Sequence, residues 1–487
     1  MTSPSWSKRS FVTLFMSDLW ERFGFYGMLA ILVLYFSAPT AGGGLGLAPT
    51  DSAALVGVYL GLTFMLSLLG GWVGDRILGP HTATLYGAVT VSAGYFVLAA
   101  PSTAVTGVGL LLVAMGTAIY KPNLTTMLNL HYQRARSERE AAISMFYVGI
   151  QVSALLAPLV TGYLGERVDW HAGFAAAGVT SVACALTYWR GSRSFDTTGT
   201  LTVNRVSGPE LRRFGVRAAI PAVFLLAAAV GLIPLGLTIA ICGLSIIVVP
   251  FVSFWLLRRH PDLTEADRRR LSVFLWPLCG SALFWLIAGQ DGSMLNLFAL
   301  QSTDREVLGF VLPASWLQSA TPLFILLAAP LLAWYFKRHG QYVNVAVKFS
   351  VGLVIVGFSF MIMAGAAWLA ASGEKTSPLW LISVYILHAL GELIIAAVGI
   401  SAAFEVAPPA FRARMIGLWW LFSALGAGLA SQVVRVTAVI PDSVYYLVIA
   451  VIVTGFGLAV AYRRDWIATG IVRPAEVAEP SAPTVLH

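Results

Sequence analysis

Residues 11–36 read FVTLFMSDLWERFGFYGMLAILVLYF. A run of about 26 residues is long enough to cross a hydrocarbon core about 30 Å thick as a helix. It is too long for the apolar core of a signal peptide. We therefore expect a retained first membrane helix behind a short polar lead, Met1 to Ser10, that carries Lys8 and Arg9. The same run holds Asp18, Glu21 and Arg22. A charge at the centre of a membrane helix costs about 2.5–3.5 kcal/mol on insertion scales, so such residues are kept chiefly for pairing, solute pathways or proton relays. Asp18, Glu21, Arg22, Phe25 and Tyr26 follow one another at helical spacing and line one face. Asp18 and Arg22 stand one turn apart, placed to pair.

Apolar runs of this kind fill the chain. Of its 487 residues 58% are hydrophobic and 11% charged, with a mean hydropathy of +0.79, against roughly 25% charged residues in soluble proteins. Soluble enzyme folds and nucleic-acid binders are excluded. A window of about 19 residues places fourteen helices near 10–36, 52–74, 82–100, 104–131, 138–165, 170–189, 215–235, 237–257, 268–300, 313–336, 343–371, 378–406, 411–438 and 442–462. Backbone groups in hydrocarbon must be satisfied within each span, and no alternating strand pattern points to a barrel. Polar stretches at Arg190–Arg213 and Arg258–Arg270 divide the chain. We expect a six-helix bundle over 1–190, a linker over 191–267 with a two-helix insert at about 215–257, a second six-helix bundle over 268–464 and a disordered cytoplasmic tail over 465–487. Six plus six is the plan of transporters that rock two halves about a midplane site.

The net charge is +8, and 26 of the 31 basic residues are Arg. They lie mostly in short connections: Arg76, Arg134, Arg136, Arg139, Arg190, Arg258, Lys337, Arg412 and Arg463 fall on the side of the termini, whereas the opposite connections hold Arg167, Arg305 and Lys375. Both termini are expected to be cytoplasmic, in a cell inner membrane. Cys184, Cys242 and Cys279 sit in apolar runs without paired spacing, so neither a disulfide framework nor a metal site is expected. Gly42 to Gly46 follows a helix and not a strand, and reads as a flexible outer loop instead of a phosphate loop.

Other charges also stand where hydrocarbon disfavours them. Lys121 follows MGTAIY and precedes Pro122, which frees a carbonyl and can kink its helix. Glu392 stands in LGELIIAAVG, with His388 one turn before it. Gln290 and Asp291 interrupt LFWLIAGQDGSML between Gly289 and Gly292, points of irregular backbone. Lys121 and Glu392 are candidates for a solute pathway, and His388 and Asp291 are additional titratable candidates. No nucleophile, base and orienter set appears, so neither an enzyme nor a cofactor is expected.

These residues carry a resemblance. DLWERFGFYG (Asp18–Gly27) is similar to the E-x-x-E-R-F-x-Y-Y-G signature of the proton-coupled oligopeptide transporter family, a branch of the major facilitator superfamily. GGWVGDRILG (Gly70–Gly79), KPN (Lys121–Asn123), the run Phe146–Glu166, GELIIAAVGISAAFEVAP (Gly391–Pro408) and MIGLWWLFSALGAGLA (Met415–Ala430) match the family in order. The resemblance implies an all-α membrane protein of that fold, with two six-helix bundles and a two-helix insert. It also implies a symporter in which a proton gradient drives uptake of di- or tripeptides by alternating access. Arg22, Tyr26 and Lys121 would bind the peptide carboxylate, Glu392 would face its ammonium, and Asp18 and Glu21 would couple protons through Arg22 and Lys121. Gln151 and Thr321 take positions of family asparagines near the site, and Trp285, Trp419 and Trp420 are candidates for its apolar walls.

The departures lie mostly at the ammonium end. Leu29 and Gly289 stand where the family usually has the arginine and acid of an outer ion pair, and Phe25 and Phe64 lack tyrosine hydroxyls. The alternative expectation is a proton-coupled carrier or exporter of another compact carboxylated solute or peptide-like natural product. Expected partners are the substrate, protons and the lipid bilayer, with no nucleic acid, and the chain is expected to work as a monomer.

Overall fold

The computed structural model describes residues 8–132, 136–195, 197–202, 205–339, 344–408 and 411–471. Among them the chain forms α1 (Lys8–Ser37), α2 (Pro49–Val73), α3 (Pro80–Leu98), α4 (Thr106–His131), α5 (Arg136–Arg167), α6 (Trp170–Gly191), α7 (Gly208–Ala229) and α8 (Leu235–Arg258). It continues with α9 (Glu265–Ala288), α10 (Met294–Ser302), α11 (Ala320–His339), α12 (Val345–Ala370), α13 (Leu379–Val406), α14 (Arg412–Val433), α15 (Asp442–Tyr462) and α16 (Arg464–Ile471). A two-residue hairpin, β1 (Glu306–Val307) with β2 (Phe310–Val311), joins α10 to the start of α11.

Twelve helices among the described residues are long and apolar enough to cross a membrane. Of the fourteen expected spans, α3 and α7 are not in that set. Arg212, Arg213 and Arg217 crowd the start of α7, and the His, Thr, Ser, Tyr and Gly residues of α3 lower its hydropathy. Three further expectations are corrected. The helix read over 268–300 is two, because Gly289 to Ser293 turn the chain between α9 and α10. The helix read from 313 begins as a 3-10 turn over Ala314–Ser319. The first residues of the supposed tail form α16, which buries Ile467 and Ile471 against α9 and α12; Met1–Ser7 and 472–487 lie outside the described residues.

α1 packs on α5 and α6, α2 on α4, and α3 on α4 and α6. In the last part of the chain α12 packs on α13 and α15, α9 on α14, and α11 on α13. α2 with α14, and α5 with α11, join the two sets. α8 packs on α14 and α2, and α7 on α4.

One close approach positions the site. Pro122 has no N–H for the carbonyl of Ala118 one turn back. Gly70 of α2 lies against that carbonyl so closely that a Cβ there would come within 2.0 Å of it. Asn123 closes the gap, its Nδ2 donating to Gly70 O at 2.9 Å and to Ile119 O at 2.7 Å. The K-P-N string thus seats α4 on α2 and aims Lys121 at α1. On the other flank of α1, Thr161 Oγ1 of α5 donates to Gly27 O at 2.9 Å and Ser153 Oγ to Leu19 O at 2.8 Å. Gly70→Ala forces this contact apart and should destabilise the protein by about 1–3 kcal/mol. Thermal unfolding in detergent measures it against Gly455→Ala, whose added Cβ meets nothing within 4 Å; equal melting temperatures would refute the contact's role.

Candidate functional site

Four ionisable side chains interlock between α1 and α4. Arg22 holds Glu21 in a fork, Nε to Oε2 at 2.6 Å and Nη2 to Oε1 at 2.8 Å. Thr117 of α4 adds a hydroxyl to Glu21 Oε1 at 3.2 Å. Lys121 Nζ meets Asp18 Oδ1 at 2.5 Å. The expected pairing of Asp18 with Arg22 is therefore corrected. The planar guanidinium matches both oxygens of the longer Glu21 carboxylate, and the ammonium of Lys121, arriving from α4, takes the shorter Asp18. Burial is graded: the Glu21 side chain is 0% exposed, Asp18 3%, Arg22 9% and Lys121 29%. Lys121 is thus the member of the cluster that reaches open space. Arg22 also lies over the Phe25 ring, 4.5 Å from its centroid, a contact that a phenyl group supplies without a hydroxyl.

Tyr26, one turn beyond Arg22, has a hydroxyl within electrostatic reach of both Arg22 and Glu392. Glu392 projects from α13 towards Gln151 and Tyr147 of α5. The described residues place Arg22, Tyr26, Gln151 and Glu392 in one neighbourhood, formed by α1 and α5 on one side and α13 on the other. Tyr147 was not among the residues read from sequence; its place one turn before Gln151 on α5 was the available signal.

Of the three tryptophans expected as apolar walls, Trp285 and Trp420 come together around one ring. Phe64 of α2 lies 5.6 Å from Trp285 of α9 and stacks on Trp420 of α14 at 6.1 Å. Trp419 turns away: it is 3% exposed, packs near Phe349 at 6.3 Å, and its ring occupies the space left by Gly399. His388 and Asp291 come together, Nδ1 to Oδ1 at 2.7 Å, with Ser359 2.9 Å from Nε2 and Thr321 3.5 Å from Asp291 Oδ2. Thr321 thus stands beside Asp291.

At the end opposite the termini the two sets of helices are latched, with contacts the sequence reading missed. Glu166, at the end of α5, caps the 3-10 turn before α11: its carboxylate accepts Ala314 N–H at 2.7 Å, Ser315 N–H at 2.9 Å and the Ser315 hydroxyl at 2.6 Å. Arg305 stands 3.8 Å away. A carboxylate at a helix start satisfies donors that the helix cannot. Beside it Ala30 O, next to Leu29, accepts Asn296 Nδ2 at 2.7 Å and Gln318 Nε2 at 3.3 Å. Amide side chains from the other set of helices thus bond to the backbone of α1 beside Leu29. The only sequence signal was Glu166 near a span end, opposite Arg305 in another connection.

Two packed sets of long apolar helices, with acids inside them held by bases, are the plan of a multi-pass membrane transporter, and the fold is the all-α one of the major facilitator superfamily. The chain belongs to the POT family, whose model matches residues 81–207 and 235–450. It is 30% identical over 440 residues to the di-/tripeptide transporter of Lactococcus lactis subsp. cremoris, covering 87% of this chain and 88% of that one. Among solved structures it resembles a glutamate-to-glutamine mutant of peptide transporter POT in complex with alafosfalin, with TM-score 0.89, 32% identity and coverage of 95% and 96% of the two chains. It also resembles a POT family transporter in complex with 5-aminolevulinic acid, with TM-score 0.88, 27% identity and coverage of 94% and 96%.

The latch makes a measurable claim. Glu166→Ala removes the cap and should weaken the closed end by about 1–2 kcal/mol, a factor of about ten in exposure. In a chain lacking the three native cysteines, labelling of Leu29→Cys by an impermeant maleimide should quicken correspondingly. An unchanged rate would show that Glu166 holds nothing shut.

Proposed function

We propose that the chain takes up di- or tripeptides with protons by alternating access, the peptide carboxylate going to Arg22, Lys121 and Tyr26 and its ammonium to Glu392. The observation that carries this reading is the pair of interlocked acid–base contacts, Glu21 with Arg22 and Asp18 with Lys121, set near a glutamate from the other half. Two cations suit a carboxylate and one anion suits an ammonium. A peptide backbone of fixed length spans between them, and Trp285 and Trp420 tolerate varied side chains.

The coupling follows from what a buried pair costs to break. Arg22 cannot turn to a substrate carboxylate while Glu21 stays ionised, because removing one partner of a buried pair costs about 3–5 kcal/mol. A proton on Glu21 removes that cost. The fork of Arg22 is then free for the substrate, and Asp18 with Lys121 offers a second pair of the same kind. Loss of the proton on the far side restores the pair and expels the carboxylate. Each net charge moved contributes about 2.3 kcal/mol per 100 mV.

The division into two six-helix bundles with α7 and α8 as an insert, fourteen spans in all, belongs to this reading. So do cytoplasmic termini in a cell inner membrane, function as a monomer, and places for Gln151 and Thr321 around the substrate. The arginine-rich connections on the side of the termini support the orientation. A second reading, a carrier of another compact amino-carboxylate or peptide-like solute, is favoured by the altered ammonium end: Gln151 lies beside Glu392, and a similar transporter has been solved with 5-aminolevulinic acid.

Dialanine flux into proteoliposomes under an imposed pH gradient tests the proposal. Glu21→Gln should abolish accumulation driven by the gradient while exchange of dialanine across the membrane persists; full concentrative uptake by this variant would overturn the coupling scheme. Glu392→Gln should weaken dialanine about tenfold or more but leave N-acetylated dialanine unchanged, as expected for loss of a charge-assisted hydrogen bond of about 1.5–3 kcal/mol. Equal affinities of wild type and variant for dialanine would remove the ammonium role.

A further inference from the structure

The hydrogens around His388 can be counted. Ser359 Oγ lies 2.6 Å from Val356 O and 2.9 Å from His388 Nε2. A serine hydroxyl has one hydrogen, and a carbonyl can only accept. With that hydrogen on Val356 O, Nε2 must be the donor to Ser359. At the other ring nitrogen, Nδ1 stands 2.7 Å from Asp291 Oδ1. Two lone pairs do not face each other at that separation, so a proton lies between them. Whether it is written as imidazolium with carboxylate or as imidazole with carboxylic acid, the pair holds one proton more than the neutral ring and the ionised acid would hold facing away from each other.

The surroundings give that proton a route and a consequence. The His388 side chain is 1% exposed and that of Asp291 22%, so the proton enters and leaves through Asp291. From α13 itself the pair is faced by Glu392, which interacts electrostatically with Asp291, and by Tyr385, whose ring lies 6.4 Å from that of His388. α12 brings Ser359 and Phe360, and α11 brings Thr321. α15 brings Tyr446, behind Phe360 at 5.2 Å, and Tyr445, which donates to Gln290 next to Asp291. Ser359, His388 and Asp291 have the spacing of a hydrolase triad, but Ser359 is 0% exposed and its hydrogen is spent, so no substrate carbonyl reaches it.

We propose that Asp291 and His388 form a second proton-binding site, within the last part of the chain, whose occupancy sets the charge beside Glu392 and so the affinity for a substrate ammonium. The inference rests on the reading of Glu392 as the ammonium partner. Without the proton, Asp291 adds a negative charge next to that of Glu392; with it, Glu392 stands as a single charge. An ammonium arriving at Glu392 is therefore linked to release of the dyad proton, and the linkage is reciprocal. The dyad lies between α12, α13 and the α9–α10 junction, which pack together in one set of helices. It is a charge regulator and not a gate.

Two measurements test it on the full chain. In lipid nanodiscs with 15N-labelled histidine, the resonances missing from His388→Gln are expected to show Nε2 protonated throughout, and Nδ1 titrating in one step that Asp291→Asn abolishes. A neutral His388 with Nε2 unprotonated would place the Ser359 hydrogen on the ring and overturn the proposal. Should His388→Gln not fold, Ser359→Ala shifts the same resonance and assigns it. In proteoliposomes, the slope of log KM for dialanine against pH should differ by one proton between wild type and the Asp291→Asn, His388→Gln double variant; identical slopes would overturn the link to substrate. Wild-type vesicles that carry no dialanine would defeat the peptide reading, and the resonance arm would still decide the dyad.

Discussion

An ionised carboxylate in hydrocarbon has to keep a partner, and the arrangement of α1 against α4 is built around that requirement. Glu21 is fully buried and is tolerable only because Arg22 gives it two hydrogen bonds and Thr117 a third. Asp18 depends on Lys121 in the same way, and Lys121 comes near enough because Pro122 and Asn123 let α4 settle on Gly70. A small residue, a missing N–H and an amide side chain are thus the structural conditions for a charge pair some distance away. The pair is strong enough to hold and chemically simple to release, since one proton on an oxygen undoes it.

The two parts of the candidate site are built differently. Both partners of each acid–base pair come from α1 and α4, within one set of helices. Glu392 leans from α13 towards Tyr147 and Gln151 of α5, across the divide. In the proposed reading, a substrate ammonium that replaces those contacts alters what holds the two sets together. The latch of Glu166 on the start of the 3-10 turn, with the amides of Asn296 and Gln318 on Ala30 O, closes the end opposite the termini by hydrogen bonds to backbone groups. Such a latch depends on geometry more than on the pairing of two charged side chains.

What could be read from the chain was what periodicity and solvation encode locally. The shared face of Asp18, Glu21, Arg22 and Tyr26 follows from helical spacing, and irregular backbone at Gly289 and Gly292 from glycine beside polar residues, although hydropathy alone runs one helix through it to 300. Partners brought by other helices were not legible. One-turn spacing suggested Asp18 with Arg22, but Lys121 lies 103 positions away from Asp18 and competes for it. His388 was read against Glu392 on its own helix, whereas its partner is Asp291, 97 positions earlier. Trp419 is buried where its neighbour Trp420 is exposed, and Gly399 on another helix leaves the room for the Trp419 ring. Hydropathy likewise overlooked α16, whose eight residues bury two isoleucines without being long enough to register as a span.

The charge inventory of the region limits how the cycle can run. In the proposed cycle, with every acid ionised and the Asp291–His388 pair holding its proton, Asp18 and Glu21 balance Lys121 and Arg22, and Glu392 leaves the empty region one negative charge, near the hydroxyl of Tyr147 and the amide of Gln151. A zwitterionic peptide adds none. A proton on Glu21 offsets that charge while the dyad keeps its own proton, and an ammonium at Glu392 favours loss of the latter, so loading sets one proton against the other. An ionised Asp291 would make the returning region doubly negative, which is why the proton shared with His388 matters to a carrier whose other buried acids already have partners.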